Sequence, residues 1–388
     1  MKKARLSLVH AAVMVVAATP LFGQALGFQI TTDHAGFISM PGFKPPLQVK
    51  WSVSFAGQPS YPIITGGKVF AVDGGNGTVP STLYALDAAT GATLWTQPAP
   101  AGYGGWIGFA YENGGLFGVT QETPGFQSGA MFAFSATDGH QVWSATLPGQ
   151  YLFSSAATAR NGMVYTSGAG GGGTVYGVKE ATGQVVWTAE VQNGDSSAPA
   201  VTDNGVYVSY VCPQTYRFDP LTGRQIWNFS GPCEGGGGES AAVYEGLVFV
   251  RDVLDNYTTD GIALAASNGS LVGGFNSLYS PVFARGYAVL TEPQSLSAVK
   301  LTGPTLWSVF GNNETFTCSP LIVNDVVYVE TSSGNLEAYA GKTGKQLFSM
   351  NLGLPADCGE YFAVPLQGMS AGEGLLVVPT ASGLVALQ

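Results

Sequence analysis

A chain of 388 residues with 55 glycines carries about twice the usual share of that residue, and only 10% of its side chains are charged. No Gly-x-y period runs through it, which excludes collagen; Glu and Lys are too scarce for a coiled coil, and 45% hydrophobic residues exclude disorder because that much apolar surface offsets chain entropy. What remains is an all-β protein whose net charge of −10 argues against phosphate backbones and anionic lipids as partners.

Lys2, Lys3 and Arg5 open the chain, and the run from Leu6 to Ala18 is almost wholly apolar. Thr19 and Pro20 then break it, and small residues follow at Gly23 and Ala25, the layout of a secretory signal peptide cleaved near Ala25. The run is interrupted by His10 and falls short of the roughly 20 residues that span a bilayer. Residues 1–25 are therefore expected to direct export to the periplasm or the medium. Their removal leaves 12 basic against 25 acidic side chains, a net of −13. No cysteine lies near that cleavage site, so no lipid attachment is expected there. Residues 26–46 read as a lead-in and 47–388 as the folded domain.

That domain is repetitive. LYALDAATGATLW, ending at Trp95, returns as copies ending at Trp143, Trp187 and Trp227, with weaker copies around Gly269, at Trp307 and at Phe348. The turn glycines Gly91, Gly139, Gly183, Gly223, Gly269, Gly303 and Gly344 are spaced by about 42 residues on average, the period of a four-stranded propeller blade. Each copy predicts two strands around a tight turn, in which Asp87 or Asp219 caps the backbone and the glycine supplies a positive φ. A second hairpin precedes each copy, with turns such as Gly66-Gly67, Asn161-Gly162 and Asn204-Gly205. Six of the seven tryptophans, Trp51, Trp95, Trp143, Trp187, Trp227 and Trp307, hold one register position, as expected of rings packed between blades; the fifth copy has Gly273 there. The 342 residues from Leu47 to Gln388 make about eight blades at this period. The closing SGLVALQ lacks a fourth strand, and VKWSVSF (49–55) is a fourth strand without a third. Their pairing gives an all-β, eight-bladed propeller of four-stranded antiparallel blades closed by its terminal strands.

The motif A-x-D-x-x-T-G-x-x-x-W resembles the pyrroloquinoline quinone (PQQ)-like propeller repeat. That repeat occurs in quinoprotein dehydrogenases and in the propeller lipoprotein of the outer-membrane β-barrel assembly machinery. The resemblance covers nearly all of residues 47–388 and implies the fold more strongly than a function. Quinoprotein dehydrogenases carry adjacent cysteines, acidic and amide calcium ligands and covering insertions. Here the cysteines are far apart and little chain is left for insertions, so no PQQ or calcium ligand is carried over and no cofactor is expected.

Four cysteines in an exported chain suggest two disulfides with three possible connectivities. Blade geometry favours Cys212–Cys233, on loops sharing a face, and Cys318–Cys358, each opening an innermost strand in neighbouring blades. No CxxC, CxxCH or HExxH occurs, so no metal, haem or catalytic constellation is assigned. Gly168, Gly170 and Gly173 spell GxGxxG, but a strand follows rather than a helix. Asp252, Asp255, Asn256 and Asp260 read as a solvated loop, not an EF-hand.

The connections into the innermost strands ring the channel mouth. They carry Tyr103, Trp106, Tyr151, Phe153, Asp195, Glu234, Glu239, Tyr279, Phe316, Asp357, Glu360 and Tyr361, aromatic and acidic groups suited to an extended peptide or a sugar. Trp106 lies outside the packing register, behind Gly104 and Gly105, and is expected to be presented at the mouth. The sequence thus predicts a monomeric, exported, non-catalytic scaffold that binds an envelope or extracellular protein or peptide through this face. A PQQ- or metal-dependent oxidoreductase and a carbohydrate-binding protein are the alternatives.

Overall fold

The computed structural model describes residues 23–388 except 122–127, 149–152, 170–172, 193–196, 211, 213, 232–236, 254–258, 302, 312 and 359–364. All regular structure among the described residues is strand, arranged in eight sheets with a four-stranded antiparallel core. Blade one runs Ile63–Thr65, Lys68–Asp73, Thr82–Asp87 and Thr93–Pro98 from the axis outward, and the later blades repeat the order. Blade eight takes its outermost strand from the other end of the chain: Val49–Ser54 pairs antiparallel with Gly383–Leu387, from Val49 opposite Leu387 to Ser54 opposite Gly383. The ring is closed by hydrogen bonds.

The repeat motif has a clear physical role. Asp87 Oδ1 accepts from the backbone N–H groups of Ala89 and Thr90 and from the Thr90 hydroxyl at 2.8–3.1 Å, and Asp219 repeats this with Leu221 and Thr222. The threonine hydroxyl bond is the main reason both carboxyls ionise below the ordinary Asp range. Beyond each turn, the tryptophan of one blade lies over the turn glycine of the next. Trp51 covers Gly91, Trp95 covers Gly139, and the series continues through Trp307 over Gly344; a Cβ at any of these six glycines would sit 2.5–2.8 Å from the indole. The glycine is needed twice over, for its positive φ and for the ring above it. Five of the six indole N–H groups donate to a carbonyl of the neighbouring blade, as Trp187 does to Pro220 at 2.9 Å. One residue type therefore packs and hydrogen-bonds the blade junctions.

The stretch read as a lead-in spans the channel. Residues 23–38 hydrogen-bond to all eight blades at the channel end that carries the inner hairpin turns. Ala25 exchanges two bonds with Ile64 of blade one, and the Gly23 carbonyl accepts from Glu373 of blade eight. Tyr111, Val201, Val243, Phe283 and Ile322 donate their backbone N–H groups to Leu26, Thr32, Asp33, Ala35 and Gly36, and Arg160 of blade three reaches the Thr32 hydroxyl. Phe37–Ile38 adds a parallel strand to blade seven. Gly36 has φ 64°, and a Cβ there would overlap the Val282 side chain, so only glycine fits that crossing. The lead-in lines this end of the channel, and the mouth, ringed by the connections into the innermost strands, is the other.

Candidate functional site

At the mouth the blades share a register that the sequence motif does not show. Three residues before the last three paired positions of each innermost strand stand Ser60, Ile107, Ser155, Ser197, Glu239, Tyr279, Cys318 and Gln367. In blades one, three and four the serine hydroxyl fastens the inner strand to the second. Ser60 Oγ accepts from Val72 N–H at 2.9 Å, Ser155 Oγ lies 3.0 Å from Ser167 Oγ, and Ser197 Oγ accepts from Ser209 N–H at 3.2 Å. In blades five to eight the small hydroxyl gives way to larger groups. The facing second-strand position changes too, to Arg251, Thr291 and Glu330 in blades five, six and seven. The larger polar side chains at this register stand in blades five to eight.

Arg251 is almost fully enclosed. It donates to the Leu278 carbonyl at 2.6 Å and the Ser280 hydroxyl at 2.9 Å in blade six, and its Nη2 lies 3.6 Å from Glu239 Oε2. Such a buried pair is tolerated because further hydrogen bonds satisfy the guanidinium. Glu330, also buried, has no hydrogen-bond partner for Oε2, and burial alone pushes its carboxyl up to about 8. It is therefore held largely in its protonated form at neutral pH, which can donate as well as accept a hydrogen bond. Its oxygens lie with the sulfurs of Cys318 and Cys358 in a group no wider than 4.8 Å. Those cysteines form a disulfide joining blades seven and eight, so neither offers a thiolate to a metal. Tyr279 packs against this disulfide and its hydroxyl is raised by burial; Gln367 Oε1 and Thr291 Oγ1 are buried without hydrogen-bond partners. Among the described residues this half of the mouth thus holds buried polar atoms without hydrogen-bond partners, at Glu330, Thr291 and Gln367.

The residues expected there divide into three groups. Glu239, Tyr279 and Asp357 lie on the half-ring or its rim, with Asp357 exposed. Tyr151, Asp195, Glu234, Glu360 and Tyr361 lie outside the described residues, as does Cys233; Phe153 begins a short strand, and Cys212 is disulfide-bonded. Of the acidic loop, Asp255 and Asn256 also lie outside them, while Asp252 and Asp260 face each other across two paired strands.

Two aromatic residues require correction. Trp106 is not presented at the mouth: it is 0% exposed, begins the strand Trp106–Glu112 and meets Phe109, Phe132 and Phe134 at 5.0–5.8 Å between ring centroids. Gly104 and Gly105 cause this, because they exchange hydrogen bonds with Gln121 at 2.8 Å and hold the loop against the second strand, steering the ring inward. Tyr103 follows, half-buried on Phe132. Phe316 is buried in the core between blades six and seven, since it begins the strand Phe316–Val323. Arg251, Glu330, Thr291 and Gln367 were missed. Alignment of the second strands was the one signal available, with Arg and Glu at a position that elsewhere is Val, Ser, Thr or Pro.

Comparison with known proteins agrees with this architecture. Over 212 residues, 53% of this chain and 45% of that protein, the sequence is 28% identical to outer membrane protein assembly factor BamB of Shewanella oneidensis. It is 25% identical over 264 residues to a tetrathionate hydrolase of Acidithiobacillus ferrooxidans, covering 65% of this chain and 48% of the hydrolase. The matches thus span about half the length of these curated relatives. The crystal structure of BamB from Moraxella catarrhalis superposes with a TM-score of 0.65 at 15% identity, covering 88% of this chain and 99% of that one. The PQQ-like family described as outer membrane protein assembly factor BamB matches residues 48–105, 79–207, 127–274 and 171–362. The chain belongs to that BamB family of β-propellers.

Proposed function

We propose that this protein is an exported envelope scaffold that holds a polypeptide partner at the open mouth of its channel. The observation that carries the reading is the set of buried polar atoms left without hydrogen-bond partners near the channel mouth, at Glu330, Thr291 and Gln367. Extended polypeptide supplies matching amide groups at every residue. Similarity to an outer membrane protein assembly factor supports a protein partner and an envelope location. Among the described residues no helix is long and apolar enough to cross a membrane. A photo-cross-linking residue at position 279 should yield discrete protein adducts in the envelope of the producing cell, whereas one at exposed Leu94 on an outer strand should not. Equal labelling from both positions, or none from 279, contradicts the reading.

Catalysis is the second reading, favoured by the similarity to a tetrathionate hydrolase. A quinone with a divalent cation calls for ionised carboxylate ligands. Glu330 is largely protonated at neutral pH and Glu239 is paired with Arg251, so the described residues do not fit that group. Turnover of tetrathionate, or dye-coupled oxidation with added PQQ and calcium, would replace the scaffold reading. A sugar-binding role loses its expected stacking platform, because Trp106 and Phe316 are enclosed.

A further inference from the structure

The junction between blades five and six breaks the pattern of the other blades. Where six copies of the repeat carry tryptophan, blade five has Gly273 in its outermost strand Leu271–Phe275. Nothing in the backbone demands glycine there: its φ is not positive, and a Cβ at Gly273 would meet no atom within 4 Å. Glycine in a strand interior otherwise weakens it and marks a place where something else approaches closely. The next turn changes with it. Gly303 lacks the positive φ of the six covered glycines, and a Cβ there would touch only Lys300.

The missing ring leaves a cavity of about 410 Å³, lined mainly by Phe249, Ala263, Phe275, Leu290, Val299 and Leu301, a size and lining typical of ligand pockets. It holds an acceptor as well. At five junctions the indole N–H is received by the carbonyl just beyond the third strand: Ala88, Glu180, Pro220, Ala266 or Gly341. The equivalent residue in blade six is Leu301, whose carbonyl accepts no backbone hydrogen bond among the described residues. Lys300 is the one charged residue lining the slot, in a chain of net charge −10.

We propose that this slot receives the indole of a tryptophan from a partner polypeptide, with an acidic residue beside it to meet Lys300. The occupant is defined by the molecule itself, which places an indole at the six equivalent junctions. The site lies on the outer part of the ring and does not depend on the reading of the channel mouth.

Titration with capped tryptophan (N-acetyltryptophanamide), a capped Asp-Trp-Asp peptide and capped leucine tests this by calorimetry. The wild-type protein should bind both tryptophan probes saturably, the acidic peptide at least threefold more tightly, and leucine not at all. Gly273→Trp should raise Tm and abolish binding, because the protein then fills its own slot. Trp187→Gly, which opens the same slot between blades three and four, should gain a second indole site. Absence of saturable tryptophan binding by the wild type overturns the proposal whatever the variants do. Equal affinity for the two tryptophan probes overturns the polypeptide as occupant, and undiminished binding by a folded Gly273→Trp overturns the location.

Discussion

Trp106 and Glu330 show how a single side chain is decided by its register. Preceded by two glycines and outside the repeat, Trp106 reads as a ring free to face solvent; its place at the head of an innermost strand buries it among three phenylalanines. Trp106→Ala should therefore cost about 3–5 kcal/mol, the range for truncating a buried aromatic and the same as for Trp187→Ala. Chemical denaturation of the two variants checks this; a loss below about 1 kcal/mol for Trp106→Ala would mean the ring is exposed. Glu330 makes a prediction about pH. Its carboxyl titrates near 4.5 when unfolded and at about 8 when folded. Below 4.5 both states hold the proton and nothing changes. Between 4.5 and 8 the unfolded chain releases it while the folded one keeps it, so stability falls by up to about 1.4 kcal/mol per pH unit, and it levels off above 8. Glu330→Gln removes that dependence. Urea melts should show its advantage over wild type growing from pH 5 to pH 8, and parallel curves at both values would mean the carboxyl is solvated.

At the scale of elements, the blades were legible because each must solve the same problem at its junction. A Thr-Gly turn under a neighbour's indole leaves Gly and Trp four residues apart, and that spacing gives the period, the count and the terminal pairing. The lead-in was not legible, because it crosses the ring once and has no second copy to compare. Its ties to successive blades are backbone hydrogen bonds, which leave no composition signal. Gly36 combines a positive φ with the tightest approach in that segment. Gly36→Ala adds a Cβ into Val282 at a φ of 64°, and should destabilise by more than about 1 kcal/mol, whereas Gly42→Ala, with a positive φ but open space, should cost less. Thermal melts of the pair separate the steric effect from the conformational one; equal losses would show that φ alone matters. The half-ring at the mouth was partly legible. Glu239 and Tyr279 stand in loops that the sequence marked, but Arg251 and Glu330 stand on second strands, where one face looks like core in every blade.

For the whole molecule, closure and asymmetry go together. Pairing of Val49–Ser54 with Gly383–Leu387 removes the free edges of an open ring. The lead-in then distinguishes the two ends of the channel, and the unpartnered polar groups near the other end are the basis for the proposed partner-binding role. This account rests most heavily on the lead-in lying across the channel. Native-state hydrogen exchange reads that directly at the amides of Val201, Val243, Phe283 and Ile322, whose acceptors are Thr32, Asp33, Ala35 and Gly36. The account predicts that these four amides exchange together and as slowly as the inter-strand amides of Val206 and Val248. Rapid exchange at all four, with the blade strands still protected, would contradict it, because the lead-in would then not be held against blades four to seven.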